Sequence, residues 1–267
     1  MKYFLVLVSI FFSINILNSQ ELVYDIDGNE YDTVTIENKI WITSNLNVSR
    51  YKNGEPIIHA KTKEEWVECA KKKIGCWCYY ENDSLNSFAN DRTVTTVVQE
   101  PNSFGKLYNW YALNDSRGFG IDGFKIPKIE DWNSLTKYGS KALKSKTGWM
   151  ILTDVTYTGC QCKGYNCNGN NSSGLNIKGS GYRNYIGIWE DYASFYEDYE
   201  RAVFWVEFNK ENSIKEISIK GEKIIIETGA NIFGIDGYED YYWGIDSDGI
   251  TAKGDGYSVR LIKEIIL

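Results

Sequence analysis

The sequence predicts an α+β domain, in which a few short helices pack on antiparallel strands joined by long loops. Three observations predict it. Aromatics make up 15% of the residues, mostly 20 Tyr and 9 Trp, and such rings favour strands and half-buried sheet faces. Only three Pro occur and no linker-like tract interrupts the chain, which argues for one continuous domain. Short β-type runs flank a middle stretch where the helix-start signals lie.

The elements follow in order. Residues 22–24 run into Asp25-Ile26-Asp27-Gly28-Asn29, whose Asp-Gly chemistry suits a hairpin turn. Residues 31–36 and 39–43 are β-type runs. Thr62 and Glu65 form a capping box that opens a helix through Trp66 to about Lys73. Residues 104–113 and 128–138 are two further helix candidates, the second starting after Pro127 and stopping at Gly139. Residues 217–220 and 223–228 flank Gly221-Glu222, a two-residue hairpin signal, and 257–262 alternates as a last strand. Gly-Ile-Asp-Gly at 120–123 and 234–237 reads as reused turn chemistry rather than a repeat, because the other recurring phrase, Tyr-Glu-Asp-Tyr, returns at a different interval.

The N-terminus has the layout of a secretory signal peptide over residues 1–19: Lys2 supplies charge, residues 3–17 are almost wholly apolar, and Asn18-Ser19-Gln20 breaks the run. The expected cut follows Ser19, so that residues 20–267 form a single domain, secreted or held at the cell surface; an uncleaved anchor is the alternative. No membrane insertion is expected after cleavage. Net charge is −7, which argues against nucleic acid and against docking on anionic lipid. Six cysteines fall in two clusters, Cys69, Cys76, Cys78 and Cys160, Cys162, Cys167. An even count in an exported chain reads as disulfides, with the pairing left open. In an extended segment Cys76 and Cys78 share one face, flanking Trp77. Zinc is disfavoured, since its C-x2-C pairs are absent.

A co-linear set of phrases now becomes recognisable. Asp25-Ile-Asp-Gly-Asn-Glu-Tyr31, Trp41 and Asn45-Leu46 come first, with Ile42 where Met is usual. Phe104-Gly-Lys-Leu-Tyr-Asn-Trp-Tyr-Ala112, Gly123-Phe-Lys-Ile-Pro127 with Asp131-Trp132, Leu143-Lys144 and Gly148-Trp149 follow. Ser173-Gly174-Leu175, Gly181-Tyr-Arg183 and Gly256-Tyr-Ser-Val-Arg260 complete it. This series resembles the Fibrobacter succinogenes major paralogous domain family across roughly residues 24–263. The resemblance implies a mixed fold like that of the formylglycine-generating sulfatase-modifying enzymes and, more distantly, C-type lectins, with ligands held by loops. It implies no activity. The phrase around 189–206 departs from the family pattern.

Catalytic motifs are scarce. The one histidine, His59, stands in Pro-Ile-Ile-His-Ala with no nucleophile motif nearby, and no phosphate loop occurs. Formylglycine generation uses a late, copper-binding cysteine pair, whereas the last cysteine here is Cys167. The expectation is therefore no catalytic residue and no resident metal or other cofactor, with calcium the one option that loop oxygens would suit. The tract Trp189, Glu190, Asp191, Tyr192, Tyr196, Glu197, Asp198 and Tyr199 interleaves rings that stack on sugars with carboxylates that accept from hydroxyls. It is the expected ligand-binding site of a non-catalytic module for glycan or surface protein. The alternatives are a secreted carboxylate-dependent hydrolase on a lectin-like frame and a structural surface protein.

Overall fold

The computed structural model describes residues 22–80, 104–149, 166–185, 193–198, 201–207, 213–219, 222–228, 230–236, 242–244 and 251–265. Strands β1 (Val23–Tyr24) and β2 (Glu30–Tyr31) form a hairpin, with Val23 opposite Tyr31. Asp25 organises the turn: Oδ1 accepts from the backbone of Asp27 (2.9 Å) and Asn29 (3.0 Å), and Oδ2 accepts from the Tyr31 hydroxyl (2.7 Å). The Asp-x-Asp-Gly-Asn phrase is thus a hairpin turn, as its chemistry suggests. Strands β3 (Thr33–Ile36) and β4 (Lys39–Ile42) pair next.

After β5 (Ile58–His59), helix α1 (Lys63–Lys72) begins at its expected capping box and ends at Lys73 in the left-handed conformation. Trp66, Cys69 and Ala70, at i, i+3 and i+4, form its buried stripe. The Trp66 indole donates to Gly254 O at 2.9 Å, and a Cβ on Gly256 would lie 2.8 Å from that ring. Only glycine permits this approach.

Strand β6 (Cys76–Cys78) joins β5 in parallel and β7 (Leu107–Tyr108) antiparallel. The helix expected over 104–113 is therefore corrected. Leu107 and Tyr108 are drawn into the sheet by Cys78 and Trp77, and only α2 (Trp110–Leu113) remains, capped by the Asn109 side chain. Helix α3 (Ile129–Leu135) continues into a 3-10 turn, Thr136–Tyr138, which stops at Gly139 as the sequence implied; α4 (Ser140–Leu143) follows.

Strands β8 (Ser180–Arg183), β9 (Phe195–Asp198) and β10 (Arg201–Val206) belong to the largest sheet, while β11 (Ser213–Ile219) and β12 (Glu222–Thr228) form a separate hairpin. Ile219 pairs with Glu222, so Glu222 belongs to β12 and not to the turn. Strands β13 (Asn231–Asp236) and β14 (Tyr242–Gly244) extend the central sheet, whose order is β14-β13-β10-β8-β9 with a parallel β10–β8 contact. Gly234 and Asp236 lie in a strand, whereas Gly120 and Gly123 hold positive φ, so the two Gly-Ile-Asp-Gly phrases do not share a conformation. The last strand expected over 257–262 is corrected: β15 (Ile262–Glu264) starts where it was to end and pairs with β4, while Tyr257 and Ser258 only bridge Tyr108 and Phe204 singly.

Alternation along β10 divides the interior. Val203 and Trp205 enter one core with Tyr108, Trp110 and Tyr257; Ala202, Phe204 and Val206 enter the other with Trp41, Trp132 and Trp149. The family-phrase aromatics Tyr108, Trp110, Trp132 and Trp149 are all buried. The architecture is α+β, mostly antiparallel, with few short helices.

Candidate functional site

Two buried arginines dominate the interior electrostatics, and both are bound by main-chain oxygens. Arg260 donates to Asn45 Oδ1 (2.7 Å) and to the carbonyls of Ile42 (2.9 Å), Leu175 (2.9 Å) and Asn176 (3.2 Å). Burial pulls its pKa down to about 9, which leaves it charged at neutral pH. Arg183 lies 4.6 Å from both the Trp66 and Phe195 rings and donates to the carbonyls of Ala193 and Thr62. These groups serve the frame: most of their donors meet the protein's own oxygens, and Arg183 Nη1 is buried with no hydrogen-bond partner among the described residues.

Asp255 is buried and accepts from the Tyr185 backbone (2.6 Å), the Ala252 backbone (3.2 Å) and the Tyr257 hydroxyl (3.2 Å). Burial outweighs those bonds and pushes its pKa up to about 7. Asp131 caps α3 through the Lys128 N–H (2.7 Å) and pairs with Lys39 (2.8 Å).

One face of the β5-β6-β7 sheet gathers polar and aromatic groups. His59 stacks on Trp77 at 3.8 Å because the parallel register sets them side by side, and Tyr79 meets both rings edge-on. The Lys106 ammonium lies 4.0 Å from the Trp77 ring centre and donates to Asn47 O and Ser49 Oγ, each at 2.6 Å. Burial lowers its pKa to about 8, against the opposing pull of Asp27 and Asp25. Burial also lowers the pKa of His59, and Lys61 and Lys106 add to the effect. Lys106 was not legible as special: its only signal is a lysine inside an apolar family phrase.

The expected ligand tract meets this frame at a closed base. Ala193 N donates to Tyr185 O (3.2 Å), Asn184 N donates to Ser194 O (3.0 Å), and Tyr182 pairs with Tyr196. Trp189, Glu190, Asp191, Tyr192 and Tyr199 lie outside the described residues. Tyr196, Glu197 and Asp198 lie on β9, where the backbone alone is described. Tyr185, the last described residue before the tract, is held by buried Asp255, and Arg183, opposite Phe195, by the carbonyl of Ala193.

Cys69, Cys76 and Cys78 pack together with Trp66 and Leu107, so Cys76 and Cys78 do share a face, away from the Trp77 core. Cys167 lies in the other core with Leu143 and Trp149. None of these four cysteines is bridged in this structure; Cys160 and Cys162 lie outside the described residues. Among the described residues no three His, Cys, Asp or Glu side chains are placed to hold a metal ion, and no helix is long and apolar enough to cross a membrane.

A mixed α+β frame with two buried arginines held by main-chain carbonyls is the class that the geometry defines. The chain belongs to the Fibrobacter succinogenes major domain family, whose model matches residues 34–263. No curated protein and no solved structure matches it.

Proposed function

We propose that the chain is an exported, non-catalytic module, secreted or displayed at the cell surface, that binds a glycan or protein ligand through the tract from Trp189 to Tyr199. We read its fold as C-type-lectin-like, with the leader removed after Ser19. One observation carries the reading. The segment that departs from the family phrases springs from a base fixed on both sides, Tyr185–Ala193 and Asn184–Ser194, beside Arg183, which donates to the Ala193 carbonyl. A variable loop on a rigid scaffold is the usual design of a binding surface. The buried charges of the frame support the non-catalytic part, since Arg260, Arg183 and Asp131 are engaged by the fold itself.

The test is a glycan array probed with protein beginning at Gln20, with and without calcium, beside the Trp189→Ala/Tyr192→Ala double variant. Binding by the parent, loss in the variant and an unchanged Tm support the reading. A variant that unfolds, or that binds as well as the parent, overturns the assigned tract. Release of reducing sugar from a bound glycan would favour the hydrolase instead.

A further inference from the structure

We propose that Cys69 and Cys76 are the site of a single disulfide that ties the last turn of α1 to β6, and that Cys78 remains a thiol. The two side chains are in hydrogen-bond contact. The chain between them is shaped for it: Lys73 turns left-handed, and Ile74 N donates back to Cys69 O at 2.9 Å, so that β6 starts beside the helix it has just left. Gly75 is the tight point, where a Cβ would lie 2.7 Å from Ala112 Cα. Cys69 and Cys76 share an apolar cluster with Trp66, Ala60 and Leu107.

The other two described thiols lie in different surroundings. Cys78 is packed beside the Arg183 guanidinium, and Cys167 sits in the separate core of Trp132 and Trp149. The four described cysteines therefore do not act as one interchangeable set. Both sulfurs are buried once folded, at 4% and 0% exposure, so oxidation belongs to the open chain during folding. One thiolate attacks an external disulfide and releases one thiol; the second then displaces the other half of that disulfide from the mixed intermediate. Two thiols lose two protons and two electrons, the Cys69–Cys76 bond forms, and the external disulfide leaves as two thiols. Oxidised glutathione or a protein disulfide of the exported compartment suffices.

The experiment refolds the purified chain in a glutathione redox buffer, alkylates it under denaturing conditions and maps tryptic peptides. Cleavage after Lys71, Lys72 or Lys73 separates Cys69 from Cys76. The expected product links these two peptides, with fragmentation placing the bridge on Cys76 and the alkyl group on Cys78. A Cys78→Ser variant keeps the link. Reduction lowers the Tm of the parent but not that of Cys69→Ala/Cys76→Ala; should that variant fail to fold, the map of the parent decides. Alkylation of both Cys69 and Cys76 in refolded protein, a bridge on Cys78 or to the second cluster, or thiols that react only after a chelator strips zinc would each overturn the proposal. The refolding does not depend on export, so sequencing the N-terminus of material from the producing cells tests that reading separately.

Discussion

Arg260 donates from Nε to Asn45 Oδ1 at 2.7 Å, joining two residues 215 positions apart. The same Asn45 donates to Phe104 O (2.8 Å) and to Ser258 Oγ (3.2 Å), so three family phrases meet at one buried amide. Among the described residues the guanidinium bonds no carboxylate; carbonyls and the amide share its charge.

Replacing Arg260 with Met strands the carbonyls of Ile42, Leu175 and Asn176 and the Asn45 amide oxygen. Each unsatisfied buried group costs about 1–3 kcal/mol, so Arg260→Met should lose at least about 3 kcal/mol in denaturant unfolding. Asn45→Ala should lose less, and the double variant less than the sum of the two, because the sites share a bond. Strict additivity would show that Asn45 does not act through Arg260.

Trp132 is fully buried, stacked on Phe204 at 4.8 Å and Phe233 at 4.7 Å, and edge-on to Trp41. Its indole N–H has no hydrogen-bond partner among the described residues. Trp132→Ala should cost about 3–5 kcal/mol. Trp132→Phe should cost clearly less, since it keeps a stacked ring and loses no bond. Equal losses from both variants would show that a stacked phenyl ring retains none of the stabilisation.

Asp255 titrates high in the folded state, about 7, against a lower value unfolded. Between those values the folded chain holds a proton that the unfolded chain has released, so stability falls as pH rises from about 4 to 7. Asp255→Asn should flatten that limb in a Tm-against-pH series. A variant with the parent's slope over this window would mean that Asp255 does not govern it.

Local chemistry made some of this legible and left the rest hidden. The Thr62–Glu65 box and the Pro127-to-Gly139 frame specify helices by near neighbours alone, and both form. Residues 104–113 look helical by composition, but Leu107 and Tyr108 answer to Trp77 and Cys78, some thirty positions earlier. No local pattern encodes that pairing. Arg183 and Arg260 stand in recognisable phrases, yet a charged letter does not announce that carbonyls from distant loops will enclose it. Interleaved rings and acids marked the tract proposed to bind ligand; the described residues supply its base.

Lys106 should produce the opposite limb. Its pKa is lowered to about 8 because burial outweighs the attraction of Asp27 and Asp25, while a free lysine titrates near ~10.4. Between about pH 8 and 10 the unfolded chain holds a proton that the folded chain has shed, so this group makes stability rise with pH. Burial also raises the Tyr31 and Tyr108 pKa values, which lowers stability at the alkaline end and confines the rise to that window. Lys106→Met keeps the buried stem and removes the titration. It also frees Asn47 O and Ser49 Oγ, so its stability at neutral pH reports the balance between two lost bonds and one relieved charge. The difference between parent and variant, measured from pH 7 to 10 in one buffer series, isolates the lysine. A difference that grows in the parent's favour toward pH 10 is expected; one that stays constant would show that Lys106 remains protonated throughout.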